Sequence, residues 1–149
     1  MDSSWDDLER QIIADMWSDY TETVIDHAMN PRNVGNMTNP DGFASVTGPC
    51  GDTMEIWLRV RDDMVVLASF YTDGCGTSIA AGSMVTELIR GKPIVEAMTI
   101  TQQDVLDALG GLPEESVHCA LLGADTVREA VKDYLAYRKE PWKRAYGRR

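Results

Sequence analysis

The stretch that decides the fold of this chain is MEIWLRVR at residues 54–61, DD at residues 62–63 and MVVLASFYT at residues 64–72. Apolar residues occupy every second position from Met54 to Val60, and charged residues and a tryptophan occupy the positions between them. This alternation is typical of a strand with one buried face. The two aspartates form a turn, and the following apolar run returns as a second strand. The sequence therefore predicts an antiparallel hairpin at the centre of the fold.

Helical patterns lie on both sides of this hairpin. A weaker strand is predicted at residues 43–47, and helices are predicted at residues 4–17, 19–29, 79–89, 101–109 and 119–137. A run of strands followed by a run of helices is typical of an α+β domain. We expect a small antiparallel sheet of about three strands with helices packed on one face. On the last helix, the residues expected to face the core are Leu121, Ala124, Val127, Val131 and Tyr134.

The chain divides into three segments on this pattern. Residues 1–18 form an N-terminal helical extension, residues 19–138 form the main domain, and residues 139–149 form a basic tail. The first helix carries Trp5 and Trp17, and with the outward-facing Trp57 also available it could cover the sheet or a dimer partner. We expect it to pack on its own domain.

Composition and charge exclude several classes of function. The 149 residues are 44% hydrophobic, which suits one soluble domain, and no apolar run is long enough to span a bilayer. The acidic start does not resemble a signal peptide, so we expect a cytoplasmic protein without membrane association. The net charge of −10 argues against nucleic acid as a partner, because phosphate binding depends on clustered lysine and arginine.

Three cysteines, Cys50, Cys75 and Cys119, lie beside glycine or histidine at predicted junctions between loops and regular elements. The number is odd and no CxxC pair occurs, which favours metal or sulfur chemistry over disulfides in a reducing compartment. Cys75 and Cys119 fall at predicted helix starts. There the positive end of the helix dipole should favour the thiolate, the form that binds metal and accepts sulfur.

Two further side chains could complete a site built from these thiols. Asp52 follows Cys50 by two residues and would point to the same side of an extended segment, and His118 adjoins Cys119. We expect His27, which has no cysteine neighbour, to be structural. Thiolates with carboxylate or imidazole would close a zinc site, and three thiolates with a fourth ligand would equally hold a [2Fe–2S] cluster. A cluster with fewer than four cysteines is held weakly, which suits a carrier.

Four ordered motifs resemble a known family. HAMNPRNVG at residues 27–35, GPCGD at 48–52, GCGTSIA at 74–80 and HCALL at 118–122 are similar to the IscU/NifU-type iron–sulfur cluster assembly scaffolds.

The resemblance implies a non-enzymatic scaffold that receives sulfur from an IscS/NifS-type cysteine desulfurase, builds a transient [2Fe–2S] cluster and passes it to apo-proteins. It implies Cys50, Cys75 and Cys119 as ligands, with Asp52 or His118 in the fourth position. It also implies Cys119 as the persulfide acceptor and zinc as a substitute when iron is absent. Whether the cluster sits in a monomer or in a homodimer stays open.

One segment departs from the family pattern. IscU-type members carry Leu-Pro-Pro-Val-Lys before the His-Cys pair, and an Hsp70-type chaperone recognises it, whereas residues 112–116 of this chain are LPEES. Two acids in place of a neutral-to-basic segment argue against that chaperone as a partner.

Two other classes of function remain as alternatives. A SufE-like sulfur acceptor needs only one cysteine, which would leave Cys50, Cys75 and Asp52 without a role. A zinc-binding protein without cluster assembly, or a zinc hydrolase, would use the same ligands, but the sequence has no general-base or substrate-pocket signature for a hydrolase.

Overall fold

A three-stranded antiparallel sheet in the order β1–β2–β3 is the centre of the computed structural model, which describes residues 3–143. The strands are β1 (Gly42–Thr47), β2 (Thr53–Arg61) and β3 (Met64–Thr72). Asp62 and Asp63 both have positive φ, 54° and 59°, as a two-residue hairpin turn of the favoured twist requires. The predicted hairpin and the weaker third strand are confirmed.

Helices cover one face of this sheet, as the sequence predicts. The helices described are α1 (Ser3–Met16), α2 (Glu22–Met29), α3 (Gly76–Ile89), α4 (Ile94–Met98), α5 (Gln102–Leu109) and α6 (Val117–Lys139), with short 3-10 turns at Glu114–Ser116 and Pro141–Lys143. α3 and α6 pack on the sheet, α2 packs on α3, and α5 packs on α6. α4 and the 3-10 turns are not among the predicted elements, because they are too short to show a helical period.

The buried face of the sheet is the one that the alternation selects. Met54, Ile56 and Leu58 are fully buried, whereas Trp57 on the other face is half-buried against Phe43, with ring centroids 5.2 Å apart. The cross-strand register places Ile56 opposite Ala44 on one side and Phe70 on the other. These inward residues form one core with α3 and α6.

On α6 the predicted inner stripe is correct for four of five positions, since Tyr134 also packs against the core. Ala124, Val127 and Val131 are fully buried and Tyr134 is partly buried, but Leu121 is 40% exposed. The adjacent Leu122 is buried instead. The second turn of α6 therefore presents the position after Leu121 to the core, about 100° further round the helix, and the predicted stripe was displaced at its N-terminal end.

The packing predicted for α1 is wrong. Trp5 is 68% exposed, and Leu8 and Ile12 are also exposed, so the apolar stripe of α1 lies in solvent. The contact with the domain begins after the helix, where Trp17 packs edge-on against Tyr20 with ring centroids 5.0 Å apart. Amphipathic spacing indicates that a face favours a partner, but it does not say which surface supplies it.

The motif at residues 27–35 ties α2 to α3. His27 is buried, its Nδ1 lies 2.7 Å from Ser83 Oγ, and the backbone N–H of Arg32 donates to the same oxygen at 2.9 Å. Asn33, with φ of 63°, donates from its side chain to Thr86. These contacts agree with the structural role predicted for His27.

Among residues 3–143, no helix combines the length and the apolar composition that crossing a membrane requires. The predicted basic tail, residues 139–149, lies partly outside the described residues, since residues 144–149 are not described.

Candidate functional site

The three cysteines come from segments that meet at one end of the sheet. Thr47 of β1 pairs with Thr53 of β2, and Met54 pairs with Thr72 of β3, so the β1–β2 loop and the start of α3 emerge at the same end. The N-terminal part of α6 is packed there as well, since Leu122 lies within van der Waals distance of where a Cβ on Gly48 would stand. The antiparallel topology therefore gathers loops that are far apart in sequence.

The β1–β2 loop is a tight turn that separates Cys50 from Asp52. The N–H of Gly48 donates to the carbonyl of Asp52 at 2.8 Å, and the N–H of Gly51, whose φ is 88°, donates to Gly48 at 3.0 Å. Cys50 is exposed at the tip of this turn, whereas Asp52 is partly buried. The N–H of Thr53 donates to the Asp73 carboxylate at 2.8 Å and so fixes this loop to the segment that carries Cys75.

Cys75 is the N-cap residue of α3, and its thiol is exposed. Its Sγ lies 3.1 Å from the hydroxyl of Thr77. Partial burial disfavours the charged form, but hydrogen bonds from the Thr77 side chain and from the backbone of Ser78 and Thr77 outweigh it, so the pKa of Cys75 is lowered. This direction agrees with the thiolate character expected of Cys75 at a helix start.

Cys119 differs from the prediction. It is the third residue of α6 and is only 1% exposed. Burial raises the pKa of the Cys119 thiol, and the hydrogen bond from Ser78 only partly offsets it. The expectation of an activated thiolate at this helix start is therefore wrong for the arrangement described. Desolvation of the buried sulfur outweighs the helix terminus.

A hydroxyl group connects two of the candidate ligands. Ser78 Oγ donates to Asp52 Oδ2 at 3.2 Å and lies 3.5 Å from Cys119 Sγ. The imidazole Nε2 of His118 lies 3.7 Å from the same sulfur. Ser78 and Thr77 were not among the predicted site residues, although their positions in the first turn of the helix after Cys75 indicate hydroxyls that could reach the site.

The structure thus brings four of the five predicted site residues into one neighbourhood. Asp52 and His118 both approach Cys119, and Cys75 and Asp52 each act electrostatically on the Cys119 thiol. Cys50 lies at the exposed tip of the turn that carries Asp52. Within residues 3–143, however, no three His, Cys, Asp or Glu side chains stand close enough together to hold one metal ion.

The chemistry of this donor set fits an iron–sulfur cargo. Soft thiolates from three segments select zinc or iron–sulfide, and the carboxylate or imidazole supplies a harder fourth ligand. Because no three of these donors among residues 3–143 stand close enough to hold one metal ion, binding all three sulfurs to one cluster requires the segments that carry them to rearrange. A separate groove of about 610 Å³ lies beside Trp57 and Tyr137, and none of the five predicted ligands lines it.

Comparisons with known proteins identify the family of the chain. Residues 19–141 match the family described as NifU-like N terminal domain. The chain is 47% identical over 117 residues to the iron-sulfur cluster assembly scaffold protein IscU 1 of Archaeoglobus fulgidus, covering 78% of this chain and 76% of that protein. It is 42% identical over 125 residues to the scaffold protein IscU of Escherichia coli strain K12, covering 80% and 97%.

Solved structures share the fold. The N-terminal part of a nitrogen-fixing NifU-like protein from Brucella abortus superposes with a TM-score of 0.65 at 20% identity, covering 81% of this chain and 97% of that one. A putative scaffold protein for the SUF system from Fervidobacterium islandicum gives a TM-score of 0.62 at 21% identity, covering 77% and 98%. At these identities the likeness concerns the fold alone.

Proposed function

The chain belongs to the NifU-like N-terminal domain family and is an IscU/NifU-type scaffold for iron–sulfur cluster assembly, and from this premise we propose the steps that it performs. It accepts sulfur from a cysteine desulfurase, builds a transient [2Fe–2S] cluster on its three cysteines, and passes that cluster to apo-proteins. The cluster is cargo, so the protein acts stoichiometrically.

The observation that carries the proposal is the contact of Asp52 and Cys119 through Ser78, beside the N-cap thiol of Cys75. A sulfur acceptor of the SufE-like kind would need one thiol and no carboxylate beside it. Three thiolates with one carboxylate or imidazole would hold [2Fe–2S] less firmly than four thiolates, which allows release to an acceptor. The same donors would hold zinc when iron is absent.

Sulfur transfer is proposed to end on Cys119. Its thiolate attacks the outer sulfur of the persulfide on the desulfurase, a new S–S bond forms on Cys119, and the desulfurase cysteine leaves as a thiolate. No external oxidant is needed because the sulfane sulfur is already oxidised. Since Cys119 is buried, this step requires the first turn of α6 to open when the desulfurase docks.

The proposed partners follow from this cycle. They are an IscS/NifS-type desulfurase and apo iron–sulfur proteins, with a homodimer as one arrangement for the loaded scaffold. Three free thiols suit the reducing cytoplasm, where we place the reaction. We propose that no Hsp70-type chaperone takes part, because Glu114 and Glu115 are exposed in the 3-10 turn before α6.

Anaerobic reconstitution tests the proposal. The metal-free protein, incubated with ferrous iron, cysteine and a cysteine desulfurase, should become brown with visible absorption and then lose the colour to an apo-ferredoxin. Cys75→Ser serves as the control, since it removes the exposed thiol at the start of α3. A wild-type protein that stays colourless and holds one zinc would favour the sulfur-acceptor or zinc-binding alternatives.

A further inference from the structure

Ser78 is a fully buried residue whose hydroxyl lies between two candidate ligands. It is the third residue of α3, and its Oγ is 3.2 Å from Asp52 Oδ2 and 3.5 Å from Cys119 Sγ. Burying a hydroxyl without a hydrogen bond costs free energy, so these contacts also stabilise Ser78 itself.

The hydroxyl can contact Asp52 and Cys119 at the same time. A serine has one proton to donate and can accept two hydrogen bonds. Ser78 donates its proton to the Asp52 carboxylate, and its oxygen remains free to accept from the thiol of Cys119.

Gly74 leaves the space in which this contact forms. A Cβ atom on Gly74 would stand 2.5 Å from Ser78 Oγ and 2.9 Å from Asp52 Oδ2, closer than carbon can approach either atom. A glycine at this position therefore permits the hydroxyl and the carboxylate to meet. The contact between Ser78 and Asp52 therefore depends on Gly74 and Ser78, neither of which is a candidate ligand.

We propose that Ser78 is a positioning residue of the cluster site, whose hydroxyl holds the Asp52 carboxylate beside the Cys119 sulfur so that both are in place when metal arrives. The inference rests on the proposed function for the identity of the cargo. Hydrogen bonds that orient metal ligands from outside the coordination sphere strengthen binding, because the ligands lose less freedom when the metal binds.

Cobalt(II) alone, added anaerobically to the metal-free full-length protein, is the probe. Its thiolate-to-metal absorption reports binding without the need for a desulfurase. Ser78→Ala should weaken cobalt affinity about tenfold or more. The charge-transfer band should also shift, because the Asp52 carboxylate is no longer held beside the Cys119 sulfur. Ser78→Thr, which keeps the hydroxyl, should recover part of the affinity.

Ser83→Ala is the matched control. Ser83 is fully buried on the same helix, but its hydroxyl contacts His27 and the N–H of Arg32. It should leave cobalt affinity unchanged even if it lowers the unfolding temperature. Gly74→Ala is a second route to the same result, since it separates Asp52 from an intact Ser78.

The inference is overturned if both Ser78→Ala and Gly74→Ala bind cobalt with wild-type affinity. It is also overturned if Ser78→Ala and Ser83→Ala lose cobalt affinity equally, because an equal loss would reflect general weakening of α3. If Ser78→Ala binds cobalt and assembles a cluster as well as the wild type does, only this inference fails and the proposed function stands. If cobalt binding depends on Ser78 but the wild type assembles no cluster, the proposed function fails and the role of Ser78 stands.

Discussion

The Nε2 atom of His118 lies 3.7 Å from the sulfur of Cys119, and this sulfur also neighbours Asp52 through the hydroxyl of Ser78. Both candidates for the fourth ligand therefore approach the same buried thiol. The geometry alone favours neither, but their chemistry differs. A carboxylate is a harder ligand than imidazole beside soft iron–sulfide, and it can take up a proton or swing away.

The first prediction separates these candidates. Asp52→Ala should still assemble a cluster but deliver it more slowly to an apo-ferredoxin, because the group that opens a coordination position is gone. The visible spectrum followed during transfer measures this, with His118→Ala as the matched variant. If Asp52→Ala transfers at the wild-type rate, Asp52 is a loop residue and His118 becomes the better candidate.

The second prediction concerns residues 112–116. We expect the family's Hsp70-type chaperone to stimulate cluster transfer from this protein little, because Glu114 and Glu115 are exposed acids where such chaperones prefer apolar and basic residues. The triple variant Glu114→Pro, Glu115→Val, Ser116→Lys should gain stimulation. Strong stimulation of the unaltered protein in the same transfer assay would contradict this expectation.

The third prediction concerns α1. A chain that lacks residues 1–16 should unfold at nearly the wild-type temperature, because the apolar side chains of this helix are exposed. Trp17→Ala should instead cost about 2 kcal/mol, since Trp17 packs against Tyr20 and the core. Thermal unfolding followed by circular dichroism compares the two. A large loss in the truncated chain would show that α1 does contribute to the domain.

The hairpin could be predicted because its signals are local. Strict alternation from Met54 to Val60 assigns the buried face, and the Asp62–Asp63 turn needs only two residues of unusual φ. The position of each cysteine at a junction between a loop and a helix or strand could be predicted for the same reason, because the neighbouring helices and strands have local sequence signals.

The burial of Cys119 could not be predicted. It depends on α6 beginning at Val117 and on Ser78 packing against the sulfur from another helix. Nor could the sequence predict that the apolar face of α1 is exposed, because this depends on whether the described domain offers a complementary surface. Both failures concern tertiary contacts that no periodicity encodes.

The fourth prediction is a pH dependence of stability. Burial lowers the pKa of His27 below its ordinary value of 6.5, and the positive charge of Arg32 adds to this, against the opposing carboxylates of Asp26 and Glu87. Below pH 6.5 the unfolded chain therefore takes up a proton more readily than the folded one. The contribution of His27 to the free energy of unfolding should be fully present above pH 6.5 and should fall as the pH drops towards the folded-state pKa of His27. His27→Gln should flatten this part of a urea-unfolding series, and an unchanged slope would contradict it.

The last prediction identifies the sulfur acceptor. Cys119→Ser should fold normally but lose the persulfide, because we propose that the desulfurase opens the first turn of α6 to reach this thiol. Cys75 is the main alternative sulfur acceptor, because its thiol is exposed and its pKa is lowered, whereas burial raises the pKa of Cys119. Mass spectrometry after incubation with desulfurase and cysteine should therefore show a sulfur adduct on wild type and Cys75→Ser, and none on Cys119→Ser. Alkylation without desulfurase should label Cys75 faster than Cys119, because docking is what exposes the buried sulfur. A sulfur adduct that persists on Cys119→Ser and disappears on Cys75→Ser would assign the acceptor to the exposed thiolate and leave Cys119 as a ligand only.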